Sequence, residues 1–136
     1  MMRIVLDTNV LVSAILSPFG APAGIFNAIL SGQLILLYDD RIIAEYREVL
    51  NRPKFDFEKN LISDILDFIE VKGERILAIP INVKLPDPFD LPFVEVAITG
   101  KASFLITGNK KHFPVKLPNI QILTPSAFLD ILSIKL

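Results

Sequence analysis

Three acids and one amide stand where chemistry could collect. Arg3-Ile4-Val5-Leu6 is a short apolar run that stops on Asp7, with Thr8 and Asn9 behind it. A run of that kind bounded by turn-forming residues reads as a buried strand, so Asp7 leaves the core at the strand's carboxyl end. In open parallel sheets ligands gather at that end, in the crevice where strand order reverses. Leu34 to Tyr38 is a second such run, followed by a helical pattern in which Glu45 lies one turn in. Asp90 opens a helix that feeds the run Phe104-Leu105-Ile106-Thr107, which ends at Gly108-Asn109. Asp7, Glu45, Asp90 and Asn109 can therefore converge on one crevice.

Three carboxylates that close repel one another unless a cation sits among them. The chain has no Cys and a single His, His112, so the donors are hard oxygens, which suit Mg²⁺ or Mn²⁺. The matching chemistry is phosphoryl transfer, in which a bound water is activated and charge on the leaving oxygen is neutralised. Each residue also has an ordinary structural reading. Asp7, Thr8 or Asn9 can cap the following helix, and Asp90 is a good N-cap with Pro92 in the first turn. Glu45 can be one more solvated helical acid, Asp87 a turn former before Pro88, and Asn109 part of a Gly-Asn turn. Glu95, on the helix after Asp90, is a candidate neighbour facing the crevice. Lys110 and Lys111 either meet phosphates of a ligand or merely solvate a loop, and His112 beside them reads as surface.

The elements that would position these residues follow from periodicity. Helices are expected from Val10 to Ser17, broken by Pro18-Phe19-Gly20, and from Ala21 to Ser31, with Gly32 past the end. Both are apolar on more than one face, so they pack deep or meet a second copy of the protein. Asp39-Asp40 caps a helix to about Leu50, and an amphipathic helix is expected over Asp56 to Glu70. Ile76-Leu77-Ala78-Ile79 reads as a third strand, Phe104 to Thr107 as the fourth and Ile120 to Leu123 as the fifth, before a last helix from Thr124-Pro125. Strands alternating with helices predict a three-layer α/β/α sandwich on a central parallel sheet of four to five strands, one domain over 1–136.

Composition sets the bounds. The chain has 136 residues, 51% of them hydrophobic, and a net charge of -1. That is enough to close a core and excludes a disordered tail or a globally basic binder. No apolar run approaches the roughly 20 residues of a bilayer span, and Met1-Met2-Arg3-Ile4 enters directly on a strand, leaving no room for a signal peptide. Absence of Cys fits a reducing cytoplasm. After Ala97 the charged residues are Lys101, Lys110, Lys111, Lys116 and Lys135 against Asp130 alone. A basic flank beside an acidic centre suits a phosphate backbone, or is simply a solvated face.

Leu6-Asp7-Thr8-Asn9-Val10-Leu11-Val12-Ser13 closely resembles the opening motif of PIN domains. Leu85-Pro86-Asp87-Pro88-Phe89-Asp90 and Thr107-Gly108-Asn109 resemble their two later motifs, and Ile43-Ala44-Glu45-Tyr46 falls between them in order. The likeness runs over essentially the whole chain and is greatest to the VapC-like toxin components of toxin-antitoxin pairs. It implies a Mg²⁺- or Mn²⁺-dependent ribonuclease, commonly a homodimer, silenced by an antitoxin protein. Asp7, Glu45 and Asp90 would hold the metal, with Asn109 in the fourth position. Thr8 and Asn9 match the pair that supports the first aspartate, Thr107 matches the hydroxyl beside the fourth position, and Asp87 matches an extra acid behind the ligands. One departure stands out: the family usually has aspartate at Asn109, so the site has one negative charge fewer. A catalytically weakened module that binds RNA or protein is the alternative.

Overall fold

The structure is a computed structural model that describes residues 1–135. Five parallel strands form one sheet in the order β3-β2-β1-β4-β5. The strands are β1 (Met2–Leu6), β2 (Leu34–Tyr38), β3 (Glu74–Arg75), β4 (Phe104–Ile106) and β5 (Gln121–Leu123). The helices are α1 (Thr8–Leu16), α2 (Ala21–Leu30), α3 (Asp40–Leu50), α4 (Lys59–Lys72), α5 (Leu91–Thr99) and α6 (Pro125–Lys135). Helices cover both faces, which is the expected three-layer α/β/α arrangement.

Strand β1 is central because Ile4, Val5 and Leu6 are apolar on both faces, and all three are buried. A strand of that pattern is stable only with helices above and below it. The chain passes first to β2 on one side of β1 and later to β4 on the other. Strand order therefore reverses beside β1, and its carboxyl end opens onto a crevice.

Two expectations are corrected. The third strand is Glu74–Arg75 rather than Ile76 to Ile79. Beyond Arg75 only the Ile76 N–H still reaches β2, donating to the Tyr38 carbonyl at 2.7 Å. The Ile79 N–H donates instead to Thr99 Oγ1 and the Ile81 N–H to Glu95 Oε2. Side chains of α5 thus draw the chain off the sheet, and the apolar alternation is left with Leu77 and Ile79 exposed. Helix α4 begins at Lys59, not Asp56, whose φ of 51° is left-handed and so cannot continue a right-handed helix.

Helix α3 is fixed to the sheet at the level where β1 ends. Asp39 caps it, its Oδ1 accepting from the Ile42 N–H at 2.9 Å. The buried Tyr46 hydroxyl donates to the Leu6 carbonyl at 2.6 Å. This bond sets the depth of Glu45, the preceding residue, relative to Asp7, the residue after Leu6. Tyr46→Phe should lower unfolding free energy by about 1–3 kcal/mol, the cost of deleting one buried partner, measured by urea denaturation. A change below about 0.5 kcal/mol, the scale of surface substitutions, would show that the bond does not anchor the helix.

Candidate active site

Asp7 and Thr107 meet because of strand register. Leu6 pairs with Ile106, so the residues that follow leave the sheet side by side, and the Asp7 N–H donates to the Ile106 carbonyl at 2.9 Å. The fully buried Thr107 hydroxyl donates to Asp7 Oδ2 at 2.8 Å. Asp7 occupies the residue before α1 in extended conformation, yet its side chain makes no capping bond to that helix. The Asp7 side chain is thus not a conventional cap of α1.

Asp90 does not cap either. Its φ of -83° and ψ of -10° are helical rather than extended, because a short 3-10 turn over Pro88–Asp90 runs straight into α5. Asp87 takes the capping role, with Oδ1 accepting from the Phe89 N–H at 2.9 Å. Asp90 is buried, 9% exposed as a residue, and its Oδ2 is buried without a hydrogen-bond partner. Glu45 is half-buried, and the Thr8 hydroxyl donates to its Oε2. The Thr8 side chain therefore supports Glu45, while to Asp7, the residue the resemblance assigned to it, Thr8 gives only its backbone. Asn9 is exposed on α1.

The three acids feel one another. Burial raises the Asp7 carboxyl above its ordinary value, partly offset by the Thr107 hydroxyl, the Thr8 backbone and His112. Burial also raises Glu45, against the bond from Thr8, with the charges of Asp7 and Asp87 adding to the rise. Asp90 is pushed up to about 6, first by burial and then by Asp7 and Asp87, with His112 opposing and Glu45 adding. Among the described residues no group of three or more Asp, Glu or His side chains is placed closely enough to hold a metal ion without rearrangement. Two of the carboxylates each hold a threonine hydroxyl, and the third holds nothing on its buried oxygen.

Asn109 and the lysines lie on the rim. Asn109 is exposed, and its Oδ1 accepts from the Lys111 N–H at 3.2 Å, a local bond that caps the 3-10 turn Lys110–His112. Buried Phe113 anchors this turn, which presents Lys110 and Lys111 to solvent. His112, read as plain surface from the sequence, is half-buried with Nδ1 3.5 Å from Asp90 Oδ2. That separation is an electrostatic contact without hydrogen-bond geometry, so it leaves the Asp90 oxygen unsatisfied. Nothing in the spacing of one His among loop residues signals this approach.

Glu95 is buried but fully engaged. Arg41 donates to its Oε1 at 2.7 Å and to Asp39 Oδ2 at 2.8 Å, while Glu95 Oε2 takes the Ile81 N–H at 3.0 Å. It ties α3, α5 and the loop after β3 together beside the crevice instead of opening into it.

Comparison with known proteins places the fold. The PIN domain profile matches residues 3–111. The chain belongs to the PIN domain family. Among solved structures it is similar to a chain of the VapBC2 complex from Rickettsia felis bound to a DNA fragment from their promoter. That match has a TM-score of 0.57 and 20% identity, covering 90% of this chain and 98% of that one. At that identity the likeness speaks to the fold. No curated protein matches the chain.

The raised Asp90 carboxyl makes this PIN domain's stability depend on pH. A carboxyl with a folded value near 6 and an ordinary value of 3.8 binds its proton more tightly when folded. Stability therefore falls as pH rises through that window. In chelator, Asp90→Asn should be more stable than the parent at pH 7 by on the order of 2 kcal/mol. Urea denaturation across pH 4 to 7.5 should show the gain shrinking toward pH 4; equal stabilities at pH 7 would mean that Asp90 is not strained by its neighbours.

Proposed function

We propose that this PIN domain is a metal-dependent endoribonuclease acting as the toxin of a toxin-antitoxin pair. The observation that carries the reading is the buried, unpartnered Asp90 Oδ2 beside Asp7 and Glu45, three acids whose carboxyls are all raised. An all-oxygen donor set that is costly when anionic and unoccupied fits a hard dication such as Mg²⁺ or Mn²⁺. When bound, the ion would supply a water of lowered pKa and neutralise charge gathering on the phosphate.

This chain's own residues would do the rest. Asp7, Glu45 and Asp90 would hold the ion, with Asn109 close by as a neutral oxygen if its turn bond is released. Thr107 orients Asp7 and Thr8 orients Glu45 through single hydroxyl bonds. Asp87 fixes the turn that carries Asp90. Lys110 and Lys111 would meet phosphates flanking the cut, and Asn9 lies on the rim of the same crevice.

An antitoxin protein would silence the enzyme, by analogy with the VapBC2 assembly, and the pair would work in the cytoplasm. Among the described residues no single helix is long and apolar enough to cross a membrane. A homodimer is supported by Phe19, which is fully exposed between α1 and α2 with Leu16 and Leu30 also exposed on those helices.

Purified protein should cut single-stranded RNA in Mn²⁺ or Mg²⁺ and stop in EDTA. Asp7→Asn should lose more than about 100-fold, the upper end of what supporting partners alone are worth, and Thr107→Val about 10- to 100-fold. RNA left intact across a broad range of Mn²⁺ would refute the reading.

The turn bond of Asn109 favours a second one, a weakened module that retains RNA or a protein partner without turnover. Asn109→Asp separates the two. Cleavage appearing only in that variant would assign the parent to the binding class, whereas equal rates would leave the missing charge without consequence.

A further inference from the structure

Phe89 sits among the acids and has no packing role. Its ring is 79% exposed, although it lies between Asp87 and Asp90 in sequence and Phe93, one turn later, is 1% exposed. Leaving such a ring in water forgoes the stabilisation that burial gives Phe93. A lone exposed side chain is ordinary; its placement and its rigidity are not.

The turn that carries Phe89 is held at several points. Pro88 locks the preceding φ. The Phe89 N–H is taken by Asp87 Oδ1 at 2.9 Å and the Asp90 N–H by the Asp87 carbonyl at 3.1 Å. Pro92 and buried Phe93 then fix the start of α5. The same turn therefore fixes the backbone that carries both the ring and the Asp90 carboxylate. An aromatic side chain on a fixed backbone has only two torsions left to order, so it offers a flat apolar face at small entropic cost.

We infer that Phe89 is a stacking platform for an unpaired nucleobase adjacent to the phosphodiester held at Asp7, Glu45 and Asp90. This rests on the ribonuclease reading above and adds to it a residue that grips the base rather than the phosphate. A polymer that alternates anionic phosphate with a flat aromatic base matches an exposed ring carried on the same short turn as the Asp90 carboxylate. Stacking requires a free base face, so the partner is single-stranded at that position; in a duplex both faces are already covered. Every base has such a face, so Phe89 would contribute affinity with little sequence preference.

The chain contains no Trp, so Phe89→Trp places a single indole at this position. With Ca²⁺ in place of Mg²⁺, titration with a short single-stranded RNA oligomer should quench its emission. An abasic ribose-phosphate oligomer of equal length should quench it little. By fluorescence anisotropy, Phe89→Leu should weaken binding of the base-bearing oligomer on the order of tenfold, and Phe89→Tyr by no more than about twofold, because stacking needs a π-face and not merely an apolar one. Binding without quenching, or a Leu variant that binds like the parent, overturns the assignment while leaving the ribonuclease reading intact. A parent that neither binds nor cuts RNA overturns both. Loss of affinity for a protein partner but not for RNA in Phe89→Leu would assign the ring to a protein interface and overturn the stacking role.

Discussion

Like charges brought together out of water are the constraint on which the rest of this structure turns. Asp7, Glu45 and Asp90 come from the end of β1, the first turns of α3 and the entry to α5, yet Asp7 raises the proton affinity of both others and Glu45 that of Asp90. The fold would be more stable with apolar groups at these positions, since buried anions cost free energy unless paired. On the proposed function, a cation that binds the folded state and not the unfolded one would return that cost through linkage.

The means of bringing them together is strand register. Because β1 and β4 are parallel neighbours with Leu6 opposite Ile106, a carboxylate and a hydroxyl are delivered side by side at the end of the sheet. A slip of one residue in that pairing would turn Thr107 to the other face and leave Asp7 unsupported. The bond from Tyr46 to the Leu6 carbonyl carries the same reference point to α3. One carbonyl and one backbone register thus set two of the three acids, and the Asp87 turn sets the third.

Much of this could be read from the chain itself. Apolar runs ending on small polar residues gave β1, β2 and β4 to within a residue or so, because buried parallel strands carry their signature on both faces. Ile76 to Ile79 carries the same signature and is not a strand, since its fate is decided by Thr99 and Glu95, which bond its backbone from α5. No local pattern encodes such a competitor. The capping expectation for Asp90 failed for a related reason: a Pro-Phe-Asp turn can be extended or helical, and Asp87 tips it to helical by capping first. The approach of His112 to Asp90 depends on where Phe113 buries, which is a tertiary fact.

The neutral residue at Asn109 bears on the balance of charge. Its turn bond to the Lys111 N–H would be made equally well by an aspartate, and more strongly, since a charged acceptor roughly doubles such a bond. The turn therefore does not require asparagine. What an aspartate would add is one more anion beside the turn that carries His112, on the flank of a site where the Asp90 carboxyl already stands near 6. On the proposed function, asparagine would leave the ion-free site less strained and, by the same electrostatics, would hold a dication less tightly. Stability without metal and affinity for metal would then be set against each other by one side chain that the fold leaves free to be either residue.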